Sequence, residues 1–93
     1  MAIINGEENL SIRIQNEARI LYQNSEKEGL NNFMPLIKDI TNAVMPYTTS
    51  GSSEVQIILQ NLQKGVDAYK HTDMIGMADS LLIIGGKLNE CGL

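Results

Sequence analysis

The chain has 93 residues, 43% of them hydrophobic, and a formal net charge of −4, which limits it to a single domain over residues 1–93 with a modest core. Its two Arg and five Lys never form a run, which argues against the basic patch that nucleic acid or an anionic membrane surface requires. One Phe, three Tyr and no Trp leave the core to Ile, Leu, Val, Met and Ala.

In the first segment Leu10, Ile14, Ala18, Leu21 and Tyr22 share one helical face. Glu7 and Glu8 precede it, where the helix dipole favours negative charge. A strand competes, because Leu10-Ser11-Ile12-Arg13-Ile14 alternates and Asn5-Gly6 is a hairpin turn signal. The alternation is short and Ala2–Ile4 offers little to pair with, so a helix is expected. In the second segment Phe33, Ile37, Ile40, Val44 and Tyr47 recur at intervals of four and three. Its start has two readings. Ser25 and Glu28 form a capping box that begins the helix at Glu26 and leaves Pro35 inside, at about 3 kcal/mol unless the helix kinks. A start after Gly29, capped by Asn31 or Asn32, places Pro35 harmlessly in the first turn.

Residues 46–53, PYTTSGSS, are uncharged turn formers and divide the chain into two helical hairpins. Ser53 and Gln56 match the capping-box spacing for a third helix. Val55, Leu59, Leu62, Val66 and Tyr69 form its stripe, Ile58 widens it, and Gly65 permits close approach of a neighbour. His71-Thr72-Asp73 reads as a turn in which Thr72 or Asp73 caps the fourth helix. There Met74, Met77, Leu81, Ile84 and Leu88 repeat at three and four, with the small residues Ala78 and Gly85 on the same side. Gly85-Gly86 predicts fraying or a kink before Leu88. No longer period repeats. The expected architecture is all-α: an antiparallel four-helix bundle, with hairpin one over residues 7–46, a loop at 46–53 and hairpin two over 54–90.

The opening MAIINGEENL has neither a basic n-region nor a long apolar stretch, and does not read as a signal peptide. Beyond it the longest apolar run is Leu81–Ile84, far below the roughly 20 residues of a membrane span. The single cysteine, Cys91, forms no internal disulfide. These features predict a cytoplasmic protein.

Chemistry-bearing constellations are sparse. His71, the one histidine, has Asp67 and Asp73 nearby and reads either as a general base held by a carboxylate or as a solvated residue favouring the negative end of the third helix. The second reading is preferred, because no nucleophile or second base accompanies it. Cys91 has no activating neighbour. The pairs Glu7/Glu8, Glu26/Glu28 and Asp73/Asp79 lack the inward Glu and His ligands of a carboxylate-bridged metal site. Gly85-Gly86-Lys87 lacks P-loop spacing. No catalytic residue, metal site or cofactor is expected.

What remains is surplus hydrophobicity. Ile75, Leu82 and Ile83 point away from the stripe of the fourth helix, as do Ile57 on the third and Ile12 and Ile20 on the first. Such a helix is either buried on several sides or covered by a partner. Met74 and Met77 would suit a groove that repacks around different ligands. Ile75, Leu82, Ile83, Met74, Met77 and Ile57 are therefore the expected partner-binding residues.

In the second hairpin Ala68-Tyr69-Lys70-His71-Thr72-Asp73 closes one helix, and Met74-Ile75-Gly76-Met77-Ala78-Asp79-Ser80-Leu81-Leu82 opens the next. This stretch, within Leu59 to Leu88, resembles small helical proteins of Gram-positive bacteria. More loosely, it is similar to the helical export chaperones of flagellar systems. The resemblance implies a short acidic bundle that holds a helical segment of a client. The expected function is a non-enzymatic interaction module binding a partner helix or a second copy of itself. A structural homo-oligomer is the alternative, and a small-ligand carrier or enzyme using His71 the third reading.

Overall fold

The computed structural model describes residues 10–23, 26–49 and 51–91. The Asn5-Gly6 turn signal, Glu7, Glu8, Ser25 and the Cys91 side chain lie outside what it describes. Four helices account for most of these residues: α1 (Leu10–Tyr22), α2 (Glu26–Val44), α3 (Ser53–Lys70) and α4 (Met74–Cys91). A single 3-10 turn, Met45–Tyr47, follows α2, and the described residues contain no strand. None of these helices is long and apolar enough to cross a membrane.

Neighbouring helices run antiparallel. Leu21 meets Gly29 and Arg13 meets Asp39 across α1 and α2. Ala68 meets Gly76 and Gly65 meets Ser80 across α3 and α4. Ile14 meets Gly85, and Tyr22 bonds to Asp79, across α1 and α4. The most extensive contacts join α4 to α3 and to α1, while α2 packs on α1 and α3 and closes the ring opposite α4.

Each helix contributes its apolar stripe to one core. From α1 come Ile14, Ala18 and Leu21, and from α2 come Phe33, Leu36, Ile37, Ile40 and Val44. The fourth-helix stripe is buried as its spacing predicts, from Met74 to Leu88. Phe33 stacks on Tyr69 with ring centroids 5.8 Å apart, a geometry that adds to the burial of both rings.

Of the two starts open for α2, the helix takes the one at Glu26, so Pro35 lies inside it; tertiary packing outweighs the local penalty. Several expectations are corrected. The α3 stripe is rotated from the expected one. Val55, Ile58 and Leu62 are buried on it, whereas Leu59 is exposed, because Gly65 rather than Val66 is the position pressed against the core. Tyr22 and Tyr47 are exposed; Tyr47 falls in the 3-10 turn, after the helical stripe has ended at Val44. The fraying expected at Gly85-Gly86 does not end α4, which runs as one continuous helix to Cys91.

The helix ends follow local hydrogen-bonding rules. The α3 cap is Ser52, one residue earlier than expected: its extended backbone leads into the helix and its Oγ accepts from the Val55 amide at 3.4 Å. The α3–α4 turn joins two caps. Asp73 donates its amide to the Ala68 carbonyl at 2.8 Å and Thr72 donates to Tyr69 at 3.1 Å, the bonding pattern of a Schellman end. Thr72 takes the left-handed conformation, φ 54°, that glycine usually supplies there. Asp73 then caps α4, its Oδ1 accepting from the Gly76 amide at 3.0 Å.

Glycines at the helix contacts permit close interhelical approach. A Cβ at Gly65 would sit 3.1 Å from Phe33 Cζ, and one at Gly85 would sit 3.3 Å from Ile14 Cγ2. Gly86, one residue on, has nothing within 4 Å. Gly65→Val is therefore expected to lower stability in urea denaturation by about 1–3 kcal/mol through overpacking. Gly86→Ala is expected to raise it by up to about 1 kcal/mol through helix propensity alone. Equal effects of the two variants would contradict this packing.

Candidate interaction surface and flanking clefts

Because α1 and α3 flank α4, its inner stripe is sealed and its outer face meets solvent. Met77, Leu81 and Ile84 have no exposure, while Ile75, Leu82 and Ile83 are 50%, 46% and 46% exposed. Ile75 and Leu82 are seven residues apart and therefore lie on one line along the helix, with Ile83 displaced around it. Asp79 and the open Gly86 fall on the same face. The result is a ridge of three aliphatic side chains with a flat step at Gly86. Asp79 accepts from the Tyr22 hydroxyl, and this hydrogen bond holds the Tyr22 phenol above its ordinary pKa. Lys87 reaches Glu90 at 3.4 Å at the far end.

The other expected partner-binding residues are not on this ridge. Met74 and Met77 are buried and form core rather than a groove, because the spacing that groups them continues through Leu81, Ile84 and Leu88. Ile57 is half-buried on α3. Further exposed apolar side chains, among them Ile12, Met34, Met45 and Leu59, are spread over other elements.

The residues of the third reading do meet. Asp67, His71 and Asp73 line a groove of about 480 Å³ between α3 and α4, together with Lys64, Asp79 and Ile83. Each has a local bonding role there. The His71 Nδ1 lies 2.8 Å from the Asp67 main-chain carbonyl rather than on its carboxylate. Asp67 Oδ1 accepts from Gln63 at 3.1 Å, and Asp73 caps α4. Among the described residues no group of three or more His, Cys, Asp or Glu is placed to hold a metal ion.

A second cleft, of about 260 Å³, runs between α1 and α2 and is lined by Arg13, Asn16, Glu17, Ile20, Asn32, Pro35 and Leu36. Glu17 is only 4% exposed, and its Oε2 is buried without a hydrogen-bond partner among the described residues. Above it Arg13 bridges to Asp39 on α2 at 2.8 Å. Sequence reasoning passed over Glu17, although a signal was present. Leu10, Ile14, Glu17 and Leu21 are spaced four, three and four, so a carboxylate occupies a stripe position.

Comparison with protein-family models, with curated proteins and with solved structures finds no match to this chain.

Burial of the Glu17 carboxylate, reinforced by the nearby charge of Glu28, raises its pKa from 4.5 to about 7. The folded protein therefore holds a proton that the unfolded chain releases between these values. Stability is unaffected below pH 4.5, falls as pH rises toward 7, and is lower by about 3 kcal/mol above it. Glu17→Gln, which keeps the shape and removes the charge, is expected to match the wild type at pH 4.5 and exceed it at pH 8 in urea denaturation. A variant less stable than the wild type at pH 8 would show that the ionised carboxylate is favoured in the fold.

Proposed function

We propose that this protein is a non-enzymatic, cytoplasmic protein-interaction module, chaperone- or adaptor-like, that holds an amphipathic helix of a partner protein against the outer face of α4. The observation that carries the reading is the aliphatic ridge of Ile75, Leu82 and Ile83, half-exposed on the helix with the most extensive packing in the fold. Exposed apolar side chains in a line, on a rigid support, match the spacing at which a partner helix presents its own anchors. Gly86 lets a partner backbone come close. Asp79 and Glu90 on the same face, and the net charge of −4, favour a partner whose apolar stripe is flanked by Lys or Arg. The likeness of the second hairpin to helical export chaperones supports the same reading.

Self-association through this ridge is the second reading. Two α4 helices crossing antiparallel, centred between Leu82 and Ile83, would set each Asp79 against a Gly86 and keep like charges apart. The overall acidity opposes it, since two copies bring the same sign together.

The double variant Leu82→Glu/Ile83→Glu is expected to stay folded, with stability within about 1 kcal/mol of wild type, and to lose its partner. A photo-crosslinking side chain at position 75, tested in cells with and without that double change, reads this out. Loss of an adduct to a helical segment of another protein supports the proposal. Adducts to the chain itself alone would replace it with self-association, and an unfolded double variant would place these residues in the core.

A further inference from the structure

We propose that the cleft between α1 and α2 binds an alkyl cation that carries N–H donors, an alkylammonium or alkylguanidinium group, whose head is received by the Glu17 carboxylate. This site stands apart from the α4 ridge and does not depend on it.

The chemistry of the cleft selects this ligand. Glu17 lines the cleft, and one oxygen of its carboxylate, Oε2, is buried with no donor among the described residues; a buried acceptor left unsatisfied is costly. Arg13, the cation among the described lining residues, is already committed, since from α1 it is bound to Asp39 on α2 at 2.8 Å. That pair is neutral as a whole. Among the described lining residues this leaves the Glu17 carboxylate on α1, and the charge of Glu28 on α2 acts on it from nearby. An anion would meet repulsion, and a purely apolar ligand would leave the Glu17 carboxylate without a donor. A cation with N–H groups supplies both the charge and the hydrogen bond, the stronger kind of pairing.

The walls argue for an alkyl stem behind the charged head. Ile20, Pro35 and Leu36 are apolar, and methylene chains lie along such surfaces while their charged ends reach polar partners. At about 260 Å³ the cleft lies just below the range of small-molecule pockets, which suits one amine or one basic side chain. The same cation is available as a free small amine or as a Lys or Arg side chain of another protein.

Titration of the wild-type protein with n-butylammonium and with n-propylguanidinium tests the site, by calorimetry and by the carbon-13 signal of the Glu17 carboxyl. The expected result is saturable binding that moves this signal and is about tenfold weaker at pH 6 than at pH 8, because the cation displaces the carboxyl proton. Tetramethylammonium, which has no N–H, is expected not to bind, and Glu17→Gln to weaken binding at least tenfold. A short peptide with one Lys between alanines distinguishes the sources. Tighter binding than n-butylammonium assigns the site to a partner's side chain, and no gain assigns it to a free amine. Absence of saturable binding at pH 8, an unmoved Glu17 signal, or equal binding by Glu17→Gln would overturn the proposal. The wild-type signal decides the matter even if the Gln variant misfolds. Leu82→Glu/Ile83→Glu is expected to bind these cations normally, which keeps failure here separate from failure of the α4 reading.

Discussion

The fold depends on how closely α1 and α3 approach the two flanks of α4. Small residues make that approach possible: Gly85 against Ile14 on one side, and Gly65 and Gly76 against Ser80 and Ala68 on the other. With both flanks occupied, a single stripe from Met74 to Leu88 is enough to seal the core. The chain nevertheless carries more aliphatic side chains on α4 than the core can absorb. Ile75, Leu82 and Ile83 are left on a face that no other described helix covers, and the arrangement that stabilises the bundle also presents the ridge.

Much of this was legible in the residue pattern. Four helices, the division near residues 46–53, the α4 stripe and a cap at Thr72 or Asp73, which the structure gives to Asp73, all followed from spacing and capping chemistry. Where local rules misled, a tertiary contact decided the outcome. Gly85-Gly86 read as a weakness, yet Gly85 is held in place by Ile14. Pro35 left the start of α2 open between Glu26 and a position after Gly29, and the buried residues on both sides of it, from Gly29 to Val44, belong to one continuous helix. Leu59 fitted a four-three repeat, but the face of α3 is set by Gly65 beneath Phe33, which turns Ile58 inward instead.

The candidate sites were less legible than the fold. Ile75, Leu82 and Ile83 were identifiable as off-stripe, but whether a neighbouring helix covers them depends on helix order around the ring. Met74 and Met77 satisfied both a core and a groove pattern, and only the packing assigns them to the core. Glu17 shows the opposite failure. Its position on the α1 stripe marked it for burial, yet carboxylates are ordinarily assigned to polar faces and Ala18 beside it offered a plausible apolar alternative. α1 thus separates two chemically different surfaces, packing on α4 on one side and closing an acidic cleft with α2 on the other.

The central claim, that α4 is sealed on its inner stripe and open on its outer face, is tested most directly by thiol labelling. Single cysteines would be placed at 75, 82 and 83, and at 77, 81 and 84, in a Cys91→Ser background, and their modification rates measured in the native protein. The account predicts rapid labelling at the first three positions, and labelling at the second three only through opening of the fold. Protection at Leu82 and Ile83 equal to that at Leu81 and Ile84 would contradict it, because the ridge would then belong to an interior.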